Sequence, residues 1–282
     1  MKIRIIGLIL GLLLLGACST ASPVKKFEEG NELAFYDFTS PASFEVGLYG
    51  NNTARLEVAD GVYNIQLSAG DNTLYYGQWG DTLTDVIIEV DATQTSPDLN
   101  STYGVMCRTR GKVGQVVKGN PEATTEAPDP ASSDTIIASA DATAEATSDA
   151  TAEITAGPTR EATAEVTAQP GTSDNTSNNG DGYLFMVQGN GRYAIMRSQG
   201  HKITFLVNWT TSDVIKMGAA QNRIKAVCVG NYLALYVNDQ FLADTSDDLY
   251  TKGQVALVGA SAGRTGMNVT FDNLSVFQPK SG

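Results

Sequence analysis

The chain has 282 residues, 42% of them hydrophobic, and a net charge of −12. That is enough apolar content to bury a core, and no Lys/Arg cluster offers the basic footprint that nucleic acid requires. One histidine and three cysteines are too few for a zinc site, and no cofactor is expected.

The N-terminus opens with Lys2 and Arg4, continues in an apolar run over 5–15, and ends in Gly16-Ala17-Cys18. This is the order of a secretory signal: positive region, apolar segment, small-residue cleavage site. The apolar run is shorter than the ~20 residues a membrane-spanning helix needs. Leu15-Gly16-Ala17-Cys18 resembles the bacterial lipobox, in which the cysteine is acylated and becomes the new N-terminus. The expectation is a signal peptide over 1–17, a lipidated Cys18 and a polar tether over 18–31. The protein would then sit extracytoplasmically on the cell membrane or outer membrane. An ordinary secretory signal with a chance cysteine is the alternative.

From there the chain reads as short strands separated by turn residues. The first half predicts strands over 32–38, 54–58, 61–67, 86–93 and 103–109. The second predicts them over 183–188, 193–198, 203–209, 222–229, 232–238, 254–260 and 268–277. Turns are marked by Asp60-Gly61, Gly189-Asn190-Gly191, Gly230-Asn231 and Asn238-Asp239. Leu233, Leu235 and Val237 alternate with Tyr232, Ala234 and Tyr236, the period of a strand with one face on a core. Residues 74–79, followed by Gly80-Asp81, read as a rim loop presenting Tyr75, Tyr76 and Trp79, aromatic faces on which sugar rings stack; burial of most of these aromatics in the core is the other reading. Cys107 and Cys228 share strand parity with core positions in an oxidising compartment, which suggests a disulfide. Two buried free thiols are the other reading.

Residues 120–182 differ in kind. They hold twelve acids and one base, Arg160, and no aromatic, so most of the net charge lies here. Three imperfect Ala-Thr-Ala-Glu repeats start after Asp141, Asp149 and Glu161. Such a composition cannot bury enough apolar surface to offset its ordering entropy. It is expected to be disordered over 119–181, with its prolines opposing a long helix.

The run Asn222-Arg-Ile-Lys-Ala-Val-Cys-Val-Gly-Asn-Tyr-Leu-Ala-Leu-Tyr-Val-Asn238 resembles a strand–turn–strand of the concanavalin A-like lectin/glucanase sandwiches, specifically the laminin-G-like and 3-keto-disaccharide hydrolase-like branch. Val269-Thr-Phe-Asp-Asn-Leu-Ser-Val276 resembles that branch's last strand, and Tyr36-Asp-Phe-Thr-Ser40 its opening. The resemblance implies an all-β antiparallel sandwich, or jelly roll, over 32–278. In it the acidic segment would be a long loop insertion inside one domain; the rival is two small domains, 32–118 and 182–278. Some relatives hold structural calcium with loop oxygens, which here would be Asp37, Asp272 and Asn273; turn-capping by the same residues is the plainer reading. Glycanases of this fold carry Glu-x-Asp-x-x-Glu, and this chain has Glu89-Val-Asp91-Ala-Thr-Gln94. The amide at Gln94 cannot supply the second proton transfer of a retaining mechanism.

No catalytic set emerges: serine and cysteine nucleophiles lack an activating base, and His201 sits alone beside Gly200. The leading expectation is a non-catalytic, membrane-anchored binding module for glycans or envelope components. A degenerate or unconventional carbohydrate hydrolase using Glu89 or Asp91 is the second, and a structural envelope protein with the acidic loop as spacer is the third.

Overall fold

Period-2 alternation needs a second layer to receive its apolar face, and the computed structural model supplies one. It describes residues 24–40, 44–50, 52–69, 73–111, 117–118, 180–200, 202–261 and 265–281. The strands are β1 (Phe27–Tyr36), β2 (Gly47–Tyr49), β3 (Ala54–Ala59), β4 (Val62–Leu67), β5 (Thr73–Leu83), β6 (Val86–Gln94), β7 (Thr102–Arg110), β8 (Val117–Lys118), β9 (Asp181–Gln188), β10 (Arg192–Gln199), β11 (Lys202–Thr211), β12 (Gln221–Val229), β13 (Tyr232–Val237), β14 (Gln240–Ser246), β15 (Gly253–Ala260) and β16 (Met267–Ser281). They form two antiparallel sheets. Sheet A runs β14-β13-β12-β6-β16-β4-β3-β2 with β1 also on β16, and sheet B runs β11-β10-β9-β7-β15-β5-β8. Strands from before and after residues 119–179 interleave in both: β6 lies between β12 and β16, and β7 between β9 and β15. The expected all-β sandwich is therefore the fold.

The core lies between the sheets. Ile88, Val90 and Ala92 of β6 point into it with Leu233, Leu235 and Val237 of β13 and Val105 and Cys107 of β7. The hairpin turns follow from residues that tolerate positive φ. Asp60 and Gly61 have φ of 55° and 75°, and Asn238 and Asp239 have φ of 50° and 64°. Cys107 and Cys228 are bonded (S–S 2.06 Å, Cα–Cα 6.7 Å), joining sheet B to sheet A through the core. Sheet B carries a second apolar cluster on its outer face, with Leu74, Tyr76, Met106, Leu184, Met186 and Met196 all buried. Strands such as β9 are thus buried on both faces.

Three expectations change. β1 begins at Phe27 rather than 32 because its first residues cross the outer face of sheet A: Phe27 packs on Tyr232 at 5.7 Å, and the Tyr232 hydroxyl donates to the Lys25 carbonyl at 3.3 Å. The expected rim loop over 74–79 is the middle of β5. And β14, absent from the sequence reading, pairs with β13 across the Asn238-Asp239 turn. Cys18, the signal segment, His201 and the acidic stretch 119–179 lie outside the described residues.

Candidate functional site

The structure buries two of the three expected sugar platforms. Tyr75 and Tyr76 are each 0% exposed: Tyr75 enters the inter-sheet core and Tyr76 the cluster on the outer face of sheet B. Neither ring offers a face to a ligand. Trp79 is half-buried and sits edge-on against Tyr36, ring centres 4.7 Å apart; Tyr36 in turn packs on Phe38 and Phe44, and Phe38 on Tyr63. Gly77 between them has no room for a side chain, because a Cβ there would lie 1.9 Å from the Tyr63 hydroxyl.

The acidic pair on β6 is engaged elsewhere. Glu89 and Asp91 point from the outer face of sheet A, where Arg223 of β12 bridges them at 2.6 and 3.2 Å. Lys225 adds a second contact to Glu89 at 2.8 Å, and Asn273 donates to Asp91 at 3.1 Å. The neighbouring acids hold the Arg223 and Lys225 cations charged by hydrogen bonding and attraction, against burial, which alone would lower both pKa values. Gln94, the expected third position, is buried and donates to the Asp98 carbonyl and Ser96. This is an ion-pair network in which Glu89 and Asp91 each face a cation. Asp37 accepts from Thr39 in a turn and Asp272 from the Asn273 N–H at 2.7 Å. Among the described residues no group of three or more His, Cys, Asp or Glu could hold a metal ion.

An open polar groove is found instead at one end of sheet B, where β5, β7 and β15 all break register. Arg108 causes the break. Its φ is +55°, a left-handed turn that costs about 1 kcal/mol or more for a non-glycine residue. The turn drives its side chain inward, where only 1% of it is exposed. Burial lowers the guanidinium's pKa, while the Asp85 carboxylate opposes that shift. Nε donates to the Thr84 carbonyl at 3.1 Å, Nη1 to the Tyr250 carbonyl at 2.7 Å and Nη2 to Asp85 at 3.3 Å. It thereby ties together the two loops flanking the groove. Gly253 is glycine because a Cβ would fall 2.3 Å from the Arg108 backbone.

Beyond that bulge Arg110 turns outward while Thr109 stays buried. Thr82, Thr109, Arg110, Gly111, Lys252 and Gln254 line the groove. Its volume of about 240 Å³ lies below the ~300–1,000 Å³ of pockets for drug-sized ligands, a space for one sugar ring or a small polar group. The Arg110 guanidinium lies over the Tyr250 ring at 5.4 Å, a cation–π contact that steadies an otherwise exposed side chain. The Tyr250 hydroxyl is fixed by donating to the Ser198 carbonyl at 2.9 Å. A larger groove of about 530 Å³ at the edge of sheet A is lined by Leu48, Asn52, Thr53, Arg55, Gln66 and Ser68, but its cation, Arg55, is paired with Glu57 at 2.7 Å. The sequence offered one signal for the end groove, a charged Arg108 inside an otherwise apolar strand. Arg110, Lys252 and Gln254 carry no pattern that links positions so far apart.

No family model and no curated protein matches this sequence. Solved structures do resemble its fold. A Bacillus subtilis protein of unknown function with a galectin-like fold superposes with a TM-score of 0.52 at 13% identity, over 91% of this chain and all of that one. A Bacillus subtilis carbohydrate-binding module gives 0.42 at 11% identity, over 88% of this chain and 97% of that one. A β-1,3-1,4-glucanase from a mouse hindgut metagenome gives 0.47 at 10% identity, over 87% and 98% respectively. At these identities the likeness is one of fold.

Proposed function

We propose that this protein is an extracytoplasmic lipoprotein, anchored through Cys18, whose β-sandwich binds glycans at the groove between β5, β7 and β15 without cleaving them. The observation that carries this reading is the groove itself: an open concave site lined by hydroxyl, amide and cationic side chains and braced from beneath by the buried Arg108. Polar groups held in fixed positions orient a ligand with little ordering cost on binding. The ion-paired state of Glu89 and Asp91 supports binding without hydrolysis, since retaining chemistry needs one free nucleophile and one proton donor. Likeness to a galectin-like fold at a TM-score of 0.52 agrees with the reading, and the resemblance of residues 15–18 to a lipobox supports the address.

The test is a glycan array probed with the full chain, followed by titration calorimetry on the hits. The reading expects saturable binding that survives Glu89→Gln and no release of reducing sugar. Absence of binding across plant, algal, microbial and mucosal glycans, or turnover abolished by Glu89→Gln, would remove it.

A further inference from the structure

We infer that the groove between β5, β7 and β15 recognises an anionic group, so that the ligand is an acidic saccharide bound through its carboxylate or sulfate. The inference rests on the glycan reading and narrows its substrate class.

Two observations converge. Arg110 and Lys252 both line the groove, and among the described residues neither has an ion-pair partner. Three nearby carboxylates are engaged by other groups. Asp85 accepts from Arg108 and from the Gly230 N–H, and Asp247 takes Arg197 and the Tyr183 hydroxyl. Asp181, opposite Arg110 in the β7–β9 register, accepts from the Gly200 N–H at 2.7 Å. Asp81, exposed on the bulged part of β5, lies close enough to Tyr36 for its charge to add to burial in raising that hydroxyl's pKa. The second observation is independent of charge: Thr109 lines the same groove at 2% exposure, and its hydroxyl has no hydrogen-bond partner. Buried hydroxyls are nearly always satisfied, and an orphan invites an explanation.

An anionic oxygen answers both. A guanidinium presents a planar fork of N–H donors that fits a carboxylate or sulfate, an ammonium adds a point charge, and the Thr109 O–H can donate to the same group. A neutral sugar would satisfy the hydroxyl but make no use of the two cations that line the groove.

Titration of the full chain with tetragalacturonate, with neutral galactotetraose and with a sulfated galactose tetramer decides the matter. The acidic ligands should bind at least about tenfold more tightly than the neutral one, the increment expected of a charge-assisted contact. The advantage should shrink as salt rises. Arg110→Ala and Lys252→Ala should each remove most of it. Carboxylate over sulfate, or the reverse, identifies which anion the groove prefers. Thr109→Val supplies a control for folding: a hydroxyl kept for structure would lower Tm when lost, whereas an orphan kept for ligand leaves Tm unchanged or raised while affinity for the acidic tetramers falls. Equal affinity for acidic and neutral tetramers, or binding indifferent to Arg110→Ala and Lys252→Ala, overturns the inference and leaves the glycan reading standing. Binding of none of the three, alongside an empty array, overturns both.

Discussion

Replacing Cys107 and Cys228 together by alanine tests how the two sheets are held. The bond spans 121 residues and joins β7 of sheet B to β12 of sheet A. In the chain-entropy account, a crosslink stabilises by removing conformations from the unfolded ensemble, and a separation of this size gives ~4.9 kcal/mol at 25 °C, near the top of the usual ~2–5 kcal/mol. Both cysteines are fully buried in the core, so the alanines add a small cavity cost in the same direction. Urea unfolding of the oxidised wild type, the reduced wild type and the double variant, followed by tryptophan fluorescence, measures the effect. The oxidised protein should unfold at a higher midpoint with a smaller m-value, because its crosslinked unfolded state exposes less surface. Reduction should reproduce most of the loss. A difference below about 1 kcal/mol between oxidised protein and double variant would refute the argument and mean that the unfolded chain is already constrained across this interval.

Two further outcomes follow from buried polar groups. Arg108→Met leaves the Thr84 and Tyr250 carbonyls without their donors, at ~1–3 kcal/mol each, partly offset by relief of the guanidinium's desolvation, for a net loss of ~2–4 kcal/mol. The same denaturation assay reads it, and a neutral effect would mean that the loops flanking the groove are held by something else. Glu45 accepts from the Gln78 N–H and the Tyr49 hydroxyl, and burial pushes its pKa up to about 7, against those hydrogen bonds, which lower it. A carboxyl raised on folding contributes stability that is complete below its ordinary value near 4.5 and lost as pH climbs through 7. The wild-type urea midpoint should therefore fall between pH 5 and pH 8, and Glu45→Gln should flatten that slope; an unchanged slope in the variant would reject Glu45 as its source.

The strands that announced themselves were those with one face on the core. β6 and β13 alternate cleanly because Val90 and Leu235 meet the opposing sheet while Glu89 and Tyr236 face outward. β5 did not, because it is buried on both faces: Leu74 and Tyr76 enter one cluster and Tyr75 the other. A doubly buried strand loses its period-2 signature, and Gly77 and Gly80 added a turn signal for reasons of packing and local φ. β14 lies on the edge of sheet A with Phe241 partly exposed, and only Leu242 and Ala243, neighbours in sequence, pack on the core, so its sequence lacks clean alternation, although the Asn238-Asp239 turn before it was legible. The aromatics of 74–79 were misplaced for the same reason: exposure depends on the second layer, and a local pattern carries no record of it.

What the residues settle by themselves is local. Alternation fixes which residues face the core, Asp60-Gly61 and Asn238-Asp239 fix turns through their tolerance of positive φ, and strand parity made Cys107 and Cys228 candidates for one bond. Only the tertiary structure decides what depends on distance across the chain. It sets Arg223 between Glu89 and Asp91, so that acids resembling a catalytic pair are held as salt bridges. It brings Thr82, Thr109, Arg110 and Lys252 into one groove from positions up to 170 residues apart. Such a site is made by a bulge at Arg108 and by strand order, and strand order is set by which apolar faces pack together, a property of the whole chain.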